Sequence, residues 1–323
     1  MSRERSQLLM IVLLVMALIL VLALTASIVL VFTLHKCSNN SKQENQSSII
    51  FLREPCECGC PTIRPQVSGR IVRGEAAFAH SWPWQLLLVN YTSEGKPGTY
   101  CGATLISPKH VLTAAHCVFG VSPRYIVIIA RLHMFNVSTW SSSARYRAER
   151  IYTHESYDDQ TGADDIAVIR LRTAIPLDEY VSPVCLAAGD NVEDEKLTPG
   201  EELIATGWGA LERVNRTLPT VLQQVRLKFV SQLDPLCGRL IGFGESIRVG
   251  QMCAGFPPRA VCFGDSGGPL VRSIVHSNGQ TYWQQVGIMS WTVDCGSESK
   301  YPDVYTRVSH YHWWIVDKLR ASP

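Results

Sequence analysis

The chain has 323 residues, with 30 basic and 28 acidic side chains and a formal net charge of +2. This length is enough for a large hydrophobic core and for more than one structural unit. The nearly balanced charge favours neither nucleic acid nor any other strongly charged partner.

An apolar segment without a charged residue runs from Leu8 to Leu34. As a helix it would be roughly 40 Å long, which exceeds the ~30 Å hydrocarbon core of a lipid bilayer. The alternative is a cleaved signal peptide, whose apolar region is normally only about 7–15 residues long. Arg3 and Arg5 precede the segment, and positive charge tends to stay in the cytoplasm. We therefore expect a single-pass type II protein of the plasma membrane, with residues 1–7 cytoplasmic, a signal anchor at 8–34 and the remainder outside.

The cysteines and the glycosylation sequons agree with this orientation. All 11 cysteines follow the apolar segment, and in an oxidising compartment we expect disulfides rather than metal sites. The Asn-x-Ser/Thr sequons, which predict glycosylation, also follow it, at Asn39, Asn45, Asn90, Asn136 and Asn215.

Residues 35–70 are predicted to form a stem and a propeptide. The stretch from His35 to about Leu52 is polar and has no periodicity, which is typical of a flexible spacer. The cluster Cys56-Glu57-Cys58-Gly59-Cys60 has a spacing that is compatible with zinc, but the compartment favours disulfides. The segment 68–74 places Arg70 before the apolar pair Ile71 and Val72, between glycines, which suits proteolytic nicking.

Residues 71–323 contain short β-like runs separated by turn residues, which predicts an all-β barrel or sandwich. Representative runs are 84–90, 125–129, 165–171 and 286–291. One helix is predicted at about 308–319, because Trp314, Ile315 and Leu319 recur at helical spacing.

Three segments carry residues suited to nucleophilic catalysis. Gly264-Asp265-Ser266-Gly267-Gly268-Pro269 surrounds a serine with glycines, which permit a sharp bend with amide groups beside the hydroxyl. A serine nucleophile needs a base and an orienting carboxylate. His116 follows an apolar run, and Asp165 begins one, where a buried carboxylate must be hydrogen-bonded. Of the two adjacent aspartates, Asp164 is expected to be the more exposed to solvent. Each segment alone also fits an ordinary turn, a structural histidine or a structural carboxylate.

Together and in this order, these motifs resemble those of the chymotrypsin-like serine proteases, and the resemblance covers Ile71 to Pro323. Gly207-Trp208-Gly209, Ser290-Trp291 and Pro302-Asp303-Val304-Tyr305 also match the family pattern. With the anchor and stem, the chain resembles a type II transmembrane serine protease. The resemblance implies two six-stranded antiparallel β-barrels with a C-terminal α-helix, preceded by one transmembrane helix, with the active site between the barrels.

The resemblance also implies the catalytic roles. Ser266 would be the nucleophile, His116 its base and Asp165 the orienting carboxylate, with the N–H groups of Gly264 and Ser266 as oxyanion hole. Cleavage after Arg70 by a trypsin-like protease in trans would free Ile71 to pair with Asp265. The expected partners are protein or peptide substrates and protease inhibitors, with no nucleic acid, metal or cofactor.

Disulfides and the specificity pocket are likewise implied by the resemblance. The disulfides would join Cys101 to Cys117, Cys237 to Cys253, Cys262 to Cys295 and Cys185 to Cys58, while Cys56 and Cys60 could close a small loop and leave Cys37 unpaired. Substrate would contact Ala260, Val261, Phe263, Ser290, Trp291, Thr292 and Asp303.

The pocket residues favour small substrate side chains. Ala260 stands at the pocket floor, where trypsin-like members have aspartate, and Thr292 narrows the wall. This pattern resembles the pocket of neutrophil elastase, which implies cleavage after Val, Ala, Thr or Ile. Two alternatives remain: basic specificity through Asp303, and a non-catalytic adhesion or receptor ectodomain on the protease fold.

Overall fold

The structure, a computed structural model, describes residues 58–67, 74–135, 145–189, 196–210, 217–238, 247–255, 262, 264–275, 280–292 and 301–321. These residues belong to one compact unit that spans 54–323. The predicted anchor at 8–34 lies outside the described residues, as do Arg70 and Ile71. Within the described ranges, no helix is both long enough and apolar enough to span a bilayer.

The described part of the chain is built mainly from antiparallel strands. In chain order they are β1 (Glu75–Ala76), β2 (Gln85–Tyr91), β3 (Pro97–Ser107), β4 (His110–Thr113), β5 (Ile126–Ile129), β6 (Arg145–Thr153), β7 (Ala167–Leu171), β8 (Cys185–Leu186), β9 (Glu202–Gly207), β10 (Gln223–Val230), β11 (Gln251–Ala254), β12 (Pro269–Val275), β13 (Thr281–Trp291) and β14 (Asp303–Arg307). The α-helices are α1 (Pro235–Gly238) and α2 (His312–Arg320). Single 3₁₀ turns occupy Ala115–Cys117, Pro123–Tyr125 and Val308–Tyr311.

The first barrel closes in the order β2-β3-β4-β7-β6-β5. Leucine and β-branched residues dominate its strands and suit a pleated, buried surface. Leu86, Leu105, Leu112, Ile128 and Ile169 are fully buried and fill the interior. Full closure leaves no exposed strand edge in this barrel.

The second barrel is a ring of β9, β10, β11, β14, β13 and β12. It closes because β9 pairs with both β10 and β12. Two short strands are added outside the ring: β1 extends β10, and β8 lies parallel to β13. The expectation of two six-stranded antiparallel barrels followed by a C-terminal helix is confirmed. The helix begins at His312 rather than at about 308, because Val308–Tyr311 forms a 3₁₀ turn.

The two barrels meet at glycines that allow backbone to touch backbone. A Cβ on Gly102 of β3 would lie 2.7 Å from the Cα of Gly268, closer than side-chain carbons normally approach. The Gly102 N–H donates to the Ser266 carbonyl over 2.7 Å. Gly267 has a φ of +77° and leaves no room for a Cβ against Thr113. The loop that carries Ser266 therefore rests directly on the first barrel.

Three disulfides between described residues cross-link parts of the fold that are near or distant in sequence. The structure contains Cys101–Cys117, Cys237–Cys253 and Cys58–Cys185, as the resemblance implies. Cys262 is also disulfide-bonded, while its expected partner Cys295 lies outside the described residues, as do Cys37 and Cys56. The Cys58–Cys185 bond attaches the stem to the barrel unit across a sequence separation of 127 residues.

Candidate active site

His116 and Asp165 are positioned by neighbouring strands of the first barrel. β4 ends at Thr113, and the 3₁₀ turn Ala115–Cys117 then carries His116. The Cys117 disulfide to Cys101 in β3 fixes that turn. Asp165 lies two residues before β7, the strand that pairs with β4, so the two side chains reach the same end of the barrel.

The Asp165 carboxylate is buried and accepts three hydrogen bonds. His116 Nδ1 lies 2.8 Å from Oδ2, and because a carboxylate only accepts, Nδ1 carries the proton. The His116 backbone N–H donates to Oδ1 over 2.9 Å, and the Ser290 hydroxyl donates to Oδ2 over 2.6 Å. The Asp165 side chain is only 2% exposed, so these three bonds replace the water that the charge would otherwise require.

The ionisation of His116 is set by two opposing effects. Burial lowers the pKa of the imidazole, but the hydrogen bond to Asp165 and the charge of Asp165 raise it, and the net shift is upward. About a third of the side chain remains accessible, at 32%. Among the described contacts Nε2 has no oxygen partner and lies 3.6 Å from Cys117 Sγ. The ring therefore has one nitrogen committed to Asp165 and one available.

Ser266 lies in a loop whose backbone is held on both sides. Its carbonyl accepts from Gly102 of the first barrel, while the Gly267 N–H donates to the Met289 carbonyl of β13 over 2.8 Å. Gly264 has a φ of +103°, a conformation open to glycine and strained for other residues. The loop packs against the strand end that leads into the His116 turn. Within the described hydrogen bonds, none joins the Ser266 hydroxyl to His116 Nε2.

Asp265 points away from Ser266, into a site formed by two glycines. Its carboxylate accepts from the N–H groups of Gly209 (2.8 Å) and Cys262 (3.0 Å). A Cβ on Gly207 or Gly209 would collide with this carboxylate, which explains both glycines of the Gly-Trp-Gly motif. Burial raises the pKa of Asp265 to about 6, against the lowering effect of the two hydrogen bonds. No cation pairs with Asp265 among the described residues, and Ile71 lies outside them.

The expected substrate-binding residues are only partly described. Ser290 is buried in β13, and Trp291 and Thr292 at the end of that strand are half-buried. Asp303 begins β14 and is completely buried, at 0% exposure. Its charge adds to the effect of burial in raising the pKa of Tyr305. Ala260, Val261 and Phe263 lie outside the described residues.

Two contacts of the site have no sequence signal that we could identify. The Ser290 hydroxyl donates to Asp165, a bond that the expected substrate contact of Ser290 did not include; a register irregularity between Met289 and Trp291 accompanies this placement. The Thr306 hydroxyl of β14 donates to the Asp165 carbonyl over 2.7 Å. Both bonds come from the second barrel, whose contact with Asp165 depends on the tertiary fold.

Asp164 is the more exposed of the two adjacent aspartates, as expected, with 28% of its side chain accessible against 2% for Asp165. Its carboxylate accepts a hydrogen bond from the Tyr311 hydroxyl over 2.7 Å, a contact that the sequence did not indicate. Asp164 has a φ of +53°, and the two adjacent carboxylates point in different directions, toward Tyr311 and toward His116. Asp164 therefore anchors the turn before α2, whereas Asp165 contacts His116.

One group of side chains has the proximity of a metal site. Ligand atoms of Cys101, His116 and Cys117 lie within 4.8 Å of one another. Both sulfurs belong to the Cys101–Cys117 disulfide and cannot act as thiolate ligands. The group is therefore explained by the disulfide beside His116.

Of the expected glycosylation sites, the structure describes Asn90. It lies in β2 and is half-buried. Asn39, Asn45, Asn136 and Asn215 lie outside the described residues.

Comparisons with known proteins found relatives over most of the chain. The profile of the family described as Trypsin matches residues 71–315. Transmembrane protease serine 11G of Mus musculus is 33% identical over 294 residues, which are 87% of this chain and 65% of that protein. The Rattus norvegicus protein of the same name is 34% identical over 264 residues, 81% of this chain and 58% of that protein. Chymotrypsin-C of Bos taurus is 34% identical over 274 residues, 84% of this chain and 96% of that protein. The chain thus spans less than two thirds of the length of the two transmembrane relatives.

The pairing of His116 with Asp165 can be tested by titration. We expect the pKa of His116 to lie above its ordinary value and to fall in Asp165→Asn, because burial then acts without the opposing charge. The pair's contribution to the free energy of unfolding is full below the unfolded pKa of about 6.5 and is lost as pH rises through the raised pKa. NMR of labelled histidine measures both titrations. Asp164→Asn is the matched control and should leave the pKa of His116 unchanged within error; an unchanged pKa in Asp165→Asn would contradict the assignment.

Proposed function

We propose that this chain, which belongs to the trypsin family, is a serine endopeptidase held at the plasma membrane with its protease domain outside the cell. The observation that carries the proposal is the His116–Asp165 pair, in which Nδ1 carries the proton and Nε2 is available. The turn that carries His116 follows the strand end against which the Ser266 loop packs. In this proposal residues 1–7 are a cytoplasmic tail, 8–34 a signal anchor, 35–70 stem and propeptide, and 71–323 the protease domain. The printed names of two relatives as transmembrane proteases support the anchor.

The reaction follows from the positions of these groups. Ser266 Oγ attacks the scissile carbonyl carbon while His116 Nε2 accepts the hydroxyl proton. Asp165 keeps the other proton on Nδ1, and its charge stabilises the imidazolium. The N–H groups of Gly264 and Ser266 hold the oxyanion, and one such donor is worth about 10²–10³ in kcat. His116 then gives its proton to the leaving amine. Water, activated in the same way, hydrolyses the acyl-enzyme and restores Ser266.

A fluorophosphonate titration tests this function. We expect the activated chain to bind one equivalent of fluorophosphonate and Ser266→Ala to bind none, because the reagent reacts with an activated serine hydroxyl. Ser273→Ala, which removes an exposed serine of β12, is the control and should be labelled like the unaltered chain. Failure of the activated chain to react, with intact folding, would favour the alternative of a non-catalytic adhesion or receptor ectodomain.

Activation by cleavage after Arg70 is supported by the way both sides of that segment are held. The Gln224 side-chain N–H group donates to the Gln66 carbonyl (2.6 Å) and to the Glu75 carboxylate (3.0 Å). Trp82 Nε1 donates to the Gln224 oxygen over 2.8 Å and orients the amide, which is buried. The described residues on the two sides of the expected cleavage site, Gln66 and Glu75, are therefore both bound by the side chain of Gln224.

The same geometry supports the destination of the new amino terminus. Gly74 packs on the backbone of Gln224, and three residues from Gly74 to Ile71 span roughly 10 Å. Gln223 is opposite Gly207, one of the two glycines around the Asp265 carboxylate. An ammonium at Ile71 would supply the cation that Asp265 lacks. Pairing would lower the raised pKa of Asp265 and raise the pKa of the amine above its ordinary value of about 8.

Activation makes a second testable prediction. Arg70→Ala should remain a single chain with activity reduced at least about 10²-fold, because the oxyanion hole is organised only after cleavage. Active material should begin at Ile71, and its two pieces should separate on a gel only with reductant, since Cys58–Cys185 joins them. Arg64→Ala, at an exposed arginine upstream, is the control for a general effect of removing a basic residue. Full activity of uncleaved Arg70→Ala would refute the mechanism.

The proposed pairing of the Ile71 ammonium with the Asp265 carboxylate depends on pH, and activity should be lost on the alkaline side. The pairing is complete at pH values below the pKa of the unpaired amine and weakens as pH rises through the raised pKa. Activity lost at alkaline pH should therefore return on acidification, provided that the protein remains folded.

The proposed specificity is for small aliphatic residues. Asp303 is completely buried in the second barrel, which supports the interpretation that it does not contact a basic substrate group. The aspartate of trypsin-like members is replaced by Ala260, followed by Val261. Such an enzyme would not readily cut after its own Arg70, and an activating protease would act in trans.

Cleavage of a peptide library checks this specificity. We expect cleavage after Val, Ala, Thr and Ile, with discrimination of roughly 10–200-fold per methylene in an apolar pocket. Asp303→Asn keeps the size of the side chain and should leave that preference unchanged. Preferential cleavage after Arg or Lys that disappears in Asp303→Asn would instead establish basic specificity through Asp303.

A further inference from the structure

A cleft of about 280 Å³ opens on the surface of the first barrel. It lies where the β2–β3 turn meets the beginnings of β5 and β6. Its wall includes the turn residues Thr92, Ser93 and Gly95, and its side chains include Tyr91, Arg124, Tyr125, Val127, Arg145 and Arg147. We call it the arginine cleft.

The arginine cleft concentrates positive charge that the net charge of +2 conceals. Within the described residues, none of Arg124, Arg145 and Arg147 forms an ion pair with a carboxylate. The segment 136–144, which directly precedes Arg145 in the chain and lies outside the described residues, contains no acidic residue. Glu94 in the adjacent turn pairs with Lys96 over 3.0 Å, and Glu149 on β6 pairs with Arg170. The cleft therefore offers three uncompensated guanidinium groups.

Tyrosine rings hold two of these guanidinium groups in place. Arg124 lies over the Tyr125 ring at 4.6 Å from its centroid. Arg145 lies over the Tyr91 ring at 5.3 Å and also donates to the Tyr91 hydroxyl over 2.7 Å. Such stacking restrains long side chains before a ligand arrives, which reduces the entropy lost on binding.

Strand geometry determines the orientation of the third guanidinium group, that of Arg147. Arg145 and Arg147 are two residues apart in β6 and so project from the same face. Val127 of β5 lies opposite Arg147 in the ladder and is buried. The cleft thus combines a row of cations with an apolar floor and two aromatic faces.

We propose that the arginine cleft binds an acidic segment of the protein substrate, with carboxylates paired to the guanidinium groups and one apolar side chain on Val127 and the tyrosine rings. Planar guanidinium groups match carboxylates in geometry as well as in charge. The apolar floor favours a polypeptide over a sulfated glycan, which has no apolar side chain to place there. A concave volume of this size suits one or two side chains better than a flat membrane surface.

The inference rests on the proposed function, because it assumes that the segment in the cleft belongs to a substrate cleaved at Ser266. A single strand, β3, joins the cleft to the Ser266 loop. β3 begins at Pro97, beside Tyr91, and its Gly102 donates to the Ser266 carbonyl. Five residues of extended strand cover roughly 17 Å. A substrate of similar extension, bound at Ser266, would therefore reach the cleft with residues about five positions from the scissile bond.

Binding is measured first, without catalysis. The full chain carrying Ser266→Ala is titrated with a fluorescein-labelled peptide that contains four glutamates around one phenylalanine, and anisotropy reports Kd. We expect Arg124→Gln combined with Arg147→Gln to raise Kd about 4–25-fold, since each exposed charge pair is worth roughly 2–5-fold. A peptide with glutamine in place of glutamate should bind no better to the unaltered cleft than to the double variant. Binding of the acidic peptide should weaken at high salt.

Arg150→Gln is the matched control. Arg150 is exposed on the same strand, stacks over Tyr152 at 5.2 Å and does not line the cleft. It should leave Kd unchanged, and thermal unfolding should show that all variants are folded.

Hydrolysis by the activated chain separates this inference from the proposed function. A substrate with the acidic block about five residues from its cleaved bond should have a KM several-fold below that of its glutamine counterpart, with kcat unchanged, and the double variant should abolish the difference. Hydrolysis without that difference in KM would overturn the proposal for the arginine cleft and leave the proposed protease function standing. Peptide binding without hydrolysis would support the cleft and refute the protease. Arginine-dependent binding of a heparin fragment, with no binding of the acidic peptide, would assign the cleft to sulfated glycans and overturn the inference.

Discussion

The buried charge of Asp165 is the constraint on which the arrangement of the two barrels depends. A carboxylate out of contact with water is tolerable only when its oxygens accept hydrogen bonds. One barrel supplies His116, and the other supplies the Ser290 hydroxyl, with Thr306 bonded to the Asp165 carbonyl. Separation of the barrels would remove the second set of donors, so this carboxylate links the stability of the interface to the orientation of the imidazole.

A second buried carboxylate, Asp265, differs from Asp165 because its hydrogen bonds do not fully offset the cost of burying its charge. Two N–H donors at Gly209 and Cys262 only partly offset its burial, and its pKa is raised to about 6. Near neutral pH the charge is therefore a destabilising feature that a cation would relieve. Because Asp265 adjoins Ser266, the proposed pairing of Asp265 with a cation would act on Ser266 through a single peptide unit. Asp165 is satisfied within the folded chain, whereas Asp265 is suited to respond to an added charge.

Local motifs predicted much of this architecture, and their success has a physical reason. Gly207, Gly209 and Gly267 occupy places where a Cβ would collide with other atoms, so the sequence there records a tertiary contact. The short β-like runs separated by turn residues predicted an all-β barrel or sandwich, because strands with buried faces need residues of this kind. The bond between the Tyr311 hydroxyl and the Asp164 carboxylate was not predicted, because nothing local indicates a partner 147 residues away. The bond from the Ser290 hydroxyl to Asp165 was not predicted for the same reason.

Charge shows a further limit of sequence reasoning. Acidic and basic residues nearly cancel over the chain, and that balance argued against a charged partner. Balance along a sequence does not imply balance in space, because closure of the first barrel brings Arg124 beside Arg145 and Arg147 while Glu149 pairs elsewhere. Fields between exposed charges fade within about 8–10 Å at ordinary ionic strength. A ligand in the arginine cleft therefore responds to those three guanidinium groups far more than to the total charge of the protein.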